Sequence, residues 1–253
     1  MSTSHPTFPN PTIQEALCEI YFCLPKGIEW KPSLLGDFFK HVQVDFPTME
    51  PVTHIGVELQ VGPGRASQAL LPPRHRMRYK HASRNLMLQL SQDILTVNIL
   101  HKYPGWEQMC RDVLDAWQQV KAVIKPAEIT RIGLRYINLI KRSQPDELPG
   151  DWLAPSGYIP KSVLSSLPGF LSRLETRTDP HNRLVVTLGE ASASLEQSPG
   201  AIVFDIDCIS EKSMGIDDNS ITAEITRLHD IAWTIFTSSR TSRLDRLLQG
   251  GAG

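Results

Sequence analysis

The sequence predicts an α+β fold, with a mostly antiparallel sheet, long helices packed on it and two sub-units related to each other. Residues 85–120 have the pattern of a strand, a tight turn, a second strand and a long amphipathic helix. Residues 129–140 have the pattern of a strand that carries arginines on one face. A similar succession of strands and then a helix recurs between residues 161 and 249, which is the reason for expecting two related sub-units.

The N-terminal part of the chain predicts two strands and one helix before the hairpin. Residues 15–22 are apolar and aromatic and short enough for a strand. Residues 53–61 predict another strand, which ends in the turn Gly62-Pro63-Gly64. Between these strands, Ser33 is a suitable N-cap for a short helix that presents Leu34, Leu35, Phe38 and Phe39.

The helix after Pro104 has the clearest pattern in the chain. Its apolar residues fall at helical spacing on one stripe, and a proline suits the first turn of a helix. The stripe consists of Trp106, Met109, Cys110, Val113, Leu114, Trp117 and Val120. We therefore expect this helix to lie across the sheet, and the strand at residues 129–140 to begin after a break at Pro126.

The second half of the chain repeats this plan after a connector. Residues 143–160 contain four prolines and two glycines, a composition typical of a connecting segment. Strands are expected at residues 170–176, 183–188 and 201–208, followed by a helix from about Ser220 and a short final helix. The predicted organisation is an N-terminal α+β unit at residues 1–142, the connector at 143–160, a C-terminal α+β unit at 161–249 and a disordered tail at 250–253.

Composition argues against several classes of protein. The chain of 253 residues has 26 basic and 27 acidic side chains, a balance that argues against a dedicated electrostatic nucleic-acid binder. The four cysteines form no CxxC pair, so neither a zinc ribbon nor a disulfide framework is expected, which favours a reducing cytoplasm. No apolar run approaches the length of a membrane span, and we expect no membrane contact.

The sequence contains no recognisable catalytic or cofactor motif. The turn at residues 61–64 is not followed by GKS or GKT and a helix, as a phosphate-binding loop would be. No histidine has a partner at metal-binding spacing, and no GxSxG elbow is present. We therefore expect no cofactor, no metal and no catalytic residue, and we interpret His229 as a structural histidine beside the apolar stripe of its helix.

Two strands nevertheless carry charged side chains on one face. Strand periodicity places Arg131 and Arg135 on the same face of the segment RIGLRYIN, and Asp205 and Asp207 on the same face of FDIDC. The arginines suit a carboxylate or phosphate ligand, and the aspartates suit a divalent cation. The alternative is that these residues form ion pairs with neighbouring strands. The candidate polar cluster consists of Glu15, Glu19, Arg131, Arg135, Asp205 and Asp207.

A second candidate site is the basic segment RHRMRYK. Its alternate residues share one face of a presumed strand, and this geometry could follow a phosphate backbone. The candidate nucleic-acid contacts are Arg74, Arg76, Arg78, Lys80 and Arg84. The alternative is a solvated strand face or an edge strand on which basic residues block pairing.

One set of residues forms a pattern that extends nearly end to end, and its most specific members are Tyr103, Trp106, Arg131, Gly133, Leu134, Arg135, Tyr136, Ile137 and Asn138. In this pattern the chain resembles the sporadically distributed ("sporad") family of uncharacterised bacterial and archaeal proteins. Leu139 stands where the pattern has a polar residue. The resemblance implies a cytoplasmic protein of patchy occurrence, as in gene neighbourhoods of defence systems and mobile elements, and it implies no activity and no catalytic residues.

These observations together favour a non-enzymatic protein of recognition or regulation. We expect it to act through a protein partner, and the resemblance places it in a bacterial antiviral defence or mobile-element system. One alternative is an enzyme or binder that acts on a nucleotide or phosphorylated ligand at the polar cluster. Another is a nucleic-acid contact through the basic strand.

Overall fold

The fold is α+β, and its described residues form an open antiparallel sheet of nine strands with helices packed against it. The computed structural model describes residues 5–54, 57–62, 65–70, 74–166, 169–191 and 200–251, and the side chains of residues 54–74 lie outside this description. The predicted fold class is thus confirmed in its coarse form, as an α+β protein with an antiparallel sheet.

The sheet strands are β1 (Ile13–Cys23), β2 (Thr48–His54), β5 (Arg74–Lys80), β6 (Leu86–Leu90), β7 (Ile94–Leu100), β8 (Glu128–Lys141), β9 (Leu171–Asp179), β10 (Asn182–Ala191) and β11 (Ala201–Ser210). Their order across the sheet is β2-β5-β6-β7-β1-β8-β11-β10-β9, and each strand runs antiparallel to its neighbours. A separate hairpin joins β3 (Val57–Gly62) to β4 (Arg65–Leu70). The two halves of the chain therefore contribute to one continuous sheet, in which they meet at β1 and β8.

The helices are α1 (Ser33–Val42), α2 (Trp106–Val123), α3 (Pro149–Trp152), α4 (Lys161–Leu164), α5 (Asp218–Ser238) and α6 (Ser242–Leu248). Helix α2 contacts β7 and α1, whereas α5 contacts β8 and β11. Among the helices of the described residues, none is long and apolar enough to cross a membrane.

Alternation along the strands divides the sheet into an apolar face and a polar face. In β1, Ala16, Cys18, Ile20 and Phe22 are buried in the core, while the residues between them point to the other face. The helices cover the apolar face: Trp117 of α2 packs on Phe22, with ring centroids 5.9 Å apart. The same geometry continues through the neighbouring strands, so the charged residues of β1, β5, β8 and β11 share the face opposite the helices.

Several elements differ from the sequence-based expectation. The strand predicted at residues 53–61 falls on the end of β2 and on most of β3, which belong to different sheets, and residues 55–56 between them lie outside the described residues. Pro51 is accommodated in β2 because that strand lies at the sheet edge. Helix α2 begins at Trp106, after Gly105 with a φ of 98°, so Pro104 precedes the helix. At the C-terminus, the Gly251 N–H donates to the Arg246 carbonyl at 2.9 Å, and residues 252–253 lie outside the described part.

The connector between the two predicted units packs against the core. It contains α3, and the side chain of Trp152 is fully buried. Its indole N–H donates to Glu147 at 3.2 Å, and Arg243 of α6 stacks over the indole ring at 4.2 Å. Residues 143–160 are therefore part of the folded body rather than a free linker.

Candidate functional site: the sheet groove

A cavity of about 390 Å³ lies on the sheet face opposite the helices, and we call it the sheet groove. The strand order brings β5 and β11 to either side of the central strands β1 and β8. Residues from both candidate sites therefore line one groove, which the sequence does not reveal. The charged residues that line the groove are Glu15, Glu19, Arg76, Arg78, Arg135 and Asp207.

Arg135 and Asp205 form a two-pronged ion pair beside the groove. The Arg135 Nε and Nη2 atoms donate to the two carboxylate oxygens of Asp205 at 2.8 and 2.6 Å. The hydrogen bonds to Asp205 raise the pKa of Arg135 above its ordinary value. This contact corresponds to the alternative in which the arginines of the polar cluster pair with acids on neighbouring strands.

Arg76 is held by a second network on the β1 and β7 side of the groove. Its Nη1 atom donates to Thr96 Oγ1 at 2.8 Å and to Glu19 Oε1 at 3.3 Å, and its side chain is only 9% exposed. Asn98 donates to Glu15 at 2.6 Å. These hydrogen bonds fix the charged side chains in place and make the groove wall rigid.

The remaining residues of the basic segment are divided among different contacts. Arg78 and Lys80 both pair with Glu50 of β2, at 3.1 and 2.9 Å, and the hydrogen bond from Lys80 lowers the pKa of Glu50. Arg84 forms a two-pronged ion pair with Asp112 of α2, away from the groove. The side chain of Arg74 lies outside the described residues. Strand β5 is also not an edge strand, since β2 lies outside it.

Asp207 differs from the other acids of the groove. It lies directly opposite Arg135 in the register of β8 and β11, but the fork of Arg135 is occupied by Asp205. No described residue donates a hydrogen bond to its carboxylate. Burial raises the pKa of Asp207 from 3.8 to about 6, opposed by the charge of Arg135 and reinforced by that of Asp205.

Arg131 lacks an acidic partner among the described residues, as Asp207 lacks a hydrogen-bond donor. Its guanidinium lies 4.6 Å from the centre of the Tyr21 ring, and it forms no ion pair with another described side chain. Gly133 follows on the same face of β8 and leaves the groove floor open beside Glu19 and Arg135. One carboxylate and one guanidinium are thus left unmatched near this glycine.

Sequence reasoning missed the uncharged polar residues of the groove. Gln89, Thr96 and Asn98 are buried, and the Gln89 amide donates to Asn98 Oδ1 at 2.8 Å. The sequence pattern that could have identified them is the placement of polar residues at alternate positions within the apolar strands LQL and LTVNIL.

No family model matches the chain, and no curated protein matches it significantly. Within the part of the chain that the structure describes, no group of three or more His, Cys, Asp or Glu side chains is arranged to hold a metal ion. The resemblance to the sporad family therefore stays an expectation.

Proposed function

We propose that the chain is a recognition protein that binds a segment of a protein partner in the sheet groove. Three acidic and three basic side chains line the groove, so the formal charges of its lining cancel. A cavity of balanced charge has no preference for a strongly anionic ligand, whereas a polypeptide can present both signs of charge. The hydrogen-bonded walls supply the rigid frame that selective recognition requires.

The observation that carries the proposal is the unmatched carboxylate of Asp207 in the groove. Asp207 is half-buried, so its carboxylate has lost part of its water, and no described side chain donates a hydrogen bond to it in return, which lowers the free energy of unfolding. Groups that lower stability are typical of functional sites, where they await a ligand. A lysine or arginine of the partner would pair with Asp207 in the groove. An acidic residue of the same segment would pair with Arg131, which lies outside the groove lining but on the same face of β8, two residues from Gly133.

A phosphorylated ligand or nucleotide fits the groove less well. Such a ligand needs arginines with free donors, but Arg135 directs Nε and Nη2 at Asp205. Arg76 donates from Nη1 to Glu19 and Thr96, so an acid also offsets its charge, while its Nε has no hydrogen-bond partner among the described residues. An anion would have to displace these acids from their arginines, and this cost favours the protein-partner alternative.

A nucleic-acid contact is disfavoured by the same reasoning. Binding to a phosphate backbone draws its free energy from cations that neutralise phosphates. Arg78 and Lys80 share Glu50, and Arg84 is paired with Asp112. The four described basic side chains of this segment are thus paired with three acids, which leaves a single net positive charge to attract phosphates.

The sheet topology supports two related sub-units that meet at the groove. Each half of the chain contains a strand, then helix, then three strands and a long helix. In the first half these are β1, α1, β5 to β7 and α2, with β2 to β4 inserted before β5; in the second half they are β8, α3 and α4, β9 to β11 and α5. The first strand of each series lies at the centre of the sheet, next to the other. The second sub-unit would then begin at β8 rather than after residue 142, and the groove would combine Glu19 of one with Asp207 of the other.

The cellular setting is proposed from the resemblance alone. A cytoplasmic role in a bacterial defence or mobile-element system would suit a protein that recognises another protein. The partner would then be encoded in the same gene neighbourhood.

Affinity capture with matched variants tests the proposal. Asp207→Asn removes the unmatched charge, and Asp146→Asn makes the same chemical change at an exposed loop position outside the groove. We expect the native host to yield a protein that is captured by the wild type and by Asp146→Asn but not by Asp207→Asn. Equal capture by all three proteins, or no captured protein that distinguishes them, would reject the groove as the recognition site.

A further inference from the structure

Strand β9 forms one edge of the nine-stranded sheet, and within the described residues it pairs only with β10. The strand at the opposite edge, β2, contains Pro51, which lacks a backbone N–H. Strand β9 contains no proline. An edge of this kind presents a row of backbone donors and acceptors with which a further strand can pair.

One hydrogen bond shows which backbone groups of β9 point away from β10. The Glu190 N–H donates to the Phe170 carbonyl at 3.3 Å, and these residues lie opposite each other when the register of the two strands is extended by one residue. In an antiparallel ladder, pairs that exchange hydrogen bonds alternate with pairs that do not. The even-numbered residues of β9 therefore bond to β10, and the odd-numbered residues from Leu171 to Arg177 direct their N–H and C=O groups outward.

Residues 171–177 are the regular part of this edge. The pairing with β10 shifts register at Thr178, where β9 has a bulge. The odd-numbered side chains of the stretch are exposed on the polar face, because Glu175 and Asp207 both lie opposite Val185. The even-numbered side chains are half-buried on the helix-covered face.

This stretch is complementary to itself when two copies run antiparallel about Leu174. Arg173 of one copy then lies opposite Glu175 of the other, and symmetry produces this pair of opposite charges twice. Ser172 lies opposite Thr176, and Leu174 lies opposite its own copy. The odd-numbered residues, whose backbone groups point outward, lie opposite one another, so they can exchange hydrogen bonds.

Neighbouring registers lack this complementarity. With the centre at Glu175, that carboxylate lies opposite its own copy and Arg173 lies opposite Arg177. With the centre at Arg173, that guanidinium lies opposite its own copy. Like charges directly opposite each other destabilise a strand pair, so the charges favour the centre at Leu174.

The ion pair between these residues within one copy is exposed. Arg173 Nη2 lies 3.2 Å from Glu175 Oε2, with side chains that are 55% and 42% exposed. An exposed pair of this kind contributes little to stability. Its exchange for a pair between copies therefore costs little.

We propose that two copies of the chain associate through β9, in antiparallel pairing centred on Leu174. The two sheets form one continuous sheet, in which backbone hydrogen bonds hold the strands together and the charges select the register. The exposed side chain of Leu171 gains cover from the aliphatic part of Arg177 of the other copy. The twofold axis is perpendicular to the sheet, so both sheet grooves lie on the same face. This association is independent of the function proposed for the groove.

Sedimentation velocity of the full chain, from about 1 to 200 μM, tests the association. The wild type should form a dimer as its concentration rises. Arg173→Pro should stay monomeric, because proline removes an outward N–H and leaves the ladder with β10 intact. The matched control Arg173→Ala keeps that N–H and should still dimerise, roughly 2-fold to 30-fold more weakly for the loss of two charge pairs. A wild type that stays monomeric, or a dimer that Arg173→Pro does not weaken, would overturn the proposal.

An exchange of charges tests the contact between the copies. Arg173→Glu places two carboxylates opposite each other in its own dimer, and Glu175→Arg places two guanidinium groups opposite each other, so each variant alone should associate more weakly than the wild type. In an equimolar mixture, position 173 of one variant meets the opposite charge at position 175 of the other, and a dimer of the two variants should form. If two folded variants associate no more strongly together than apart, the proposed pairing is wrong.

Disulfide formation by Leu174→Cys tests the register and covers the case in which a charge variant does not fold. At the centre of the pairing the two Cα atoms are about 4.5 Å apart, a distance that a disulfide spans. With oxidised glutathione, Leu174→Cys should form a covalent dimer in excess of the wild type, whose exposed Cys23 sets the background. Ser172→Cys, which lies opposite Thr176 in the dimer, should remain at that background. Equal cross-linking of the two variants, or none above background for Leu174→Cys, would contradict the register.

Discussion

Asp207→Asn should stabilise the protein at neutral pH, although most substitutions of a buried polar residue destabilise. In the folded protein, burial raises the pKa of this carboxyl from its ordinary 3.8 to about 6. Each pKa unit corresponds to about 1.4 kcal/mol, so the ionised group lowers the free energy of unfolding by at most about 3 kcal/mol at pH 8. Because the side-chain amide that Asp207→Asn introduces would also lack a partner, we expect a net gain of about 1 to 2 kcal/mol.

The difference in stability between Asp207→Asn and the wild type should grow with pH. Well below pH 3.8 the carboxyl is protonated in both the folded and the unfolded state, so Asp207→Asn should be no more stable than the wild type there. As the pH rises towards 6, the unfolded state releases its proton first, so the wild type loses stability relative to the variant. Above the folded pKa of about 6 the difference becomes constant.

Urea unfolding of the wild type, Asp207→Asn and the control Asp146→Asn at pH 4, 5, 6, 7 and 8 measures this difference. The advantage of Asp207→Asn should appear between pH 4 and 6, and Asp146→Asn should show no such trend. If Asp207→Asn is less stable than the wild type at pH 8, or if its effect does not change with pH, Asp207 has a partner and the reasoning fails.

Three further predictions concern the groove and the core. Gly133→Val should leave the free energy of unfolding unchanged or raise it by up to about 1 kcal/mol, because a Cβ at this position lies 3.9 Å from the Glu19 Cβ, an ordinary contact distance. The same variant should abolish capture of the partner, and intact capture would contradict the groove as the recognition site. Arg142→Met should lower the free energy of unfolding, measured in urea, by about 3 to 5 kcal/mol, because the Arg142 side chain is 1% exposed and its loss would leave the carboxylate of Glu190 without its cation. A decrease of less than about 1 kcal/mol would contradict this. The wild type should elute from DNA and RNA columns without retention at low salt, and salt-sensitive retention would restore the basic-strand alternative.

Much of the fold follows from local patterns in the sequence. The hairpin of β6 and β7, the apolar stripe of α2 and the arginine face of β8 are set by residue periodicity within one segment. Local sequence predicts one strand at residues 53–61, because it does not show that β2 and β3 belong to different sheets. Whether a proline is tolerated in a strand depends on its place in the sheet, which is a property of the whole fold.

The site could be predicted only in part for the same reason. Periodicity places Arg135 and Asp207 on defined strand faces, but their neighbours are set by strand order and register. The choice of Asp205 over Asp207 as the partner of Arg135 depends on side-chain geometry. The joining of the basic segment to the polar cluster requires β6 and β7 to lie between β5 and β1, an order that local sequence does not specify.

The packing around His229 and Trp233 shows the largest gap between sequence and structure. The helical stripe identifies His229 as a residue beside the core, yet the unpaired state of its Nε2 atom arises from packing around it. His5 and Phe8 reach Trp233 from more than 200 positions away in the chain. Contacts of such sequence separation leave no local pattern.

The most direct test of the proposed recognition site is the affinity of a purified partner for three proteins. Isothermal titration would compare the wild type, Asp207→Asn and Asp146→Asn at pH 7.5. A hydrogen bond to a charged group contributes about 1.5 to 3 kcal/mol, so Asp207→Asn should weaken binding by about 10-fold to 100-fold. Asp146→Asn should bind like the wild type. Equal affinity of all three proteins would contradict the central claim that the unmatched carboxylate of the sheet groove recognises the partner.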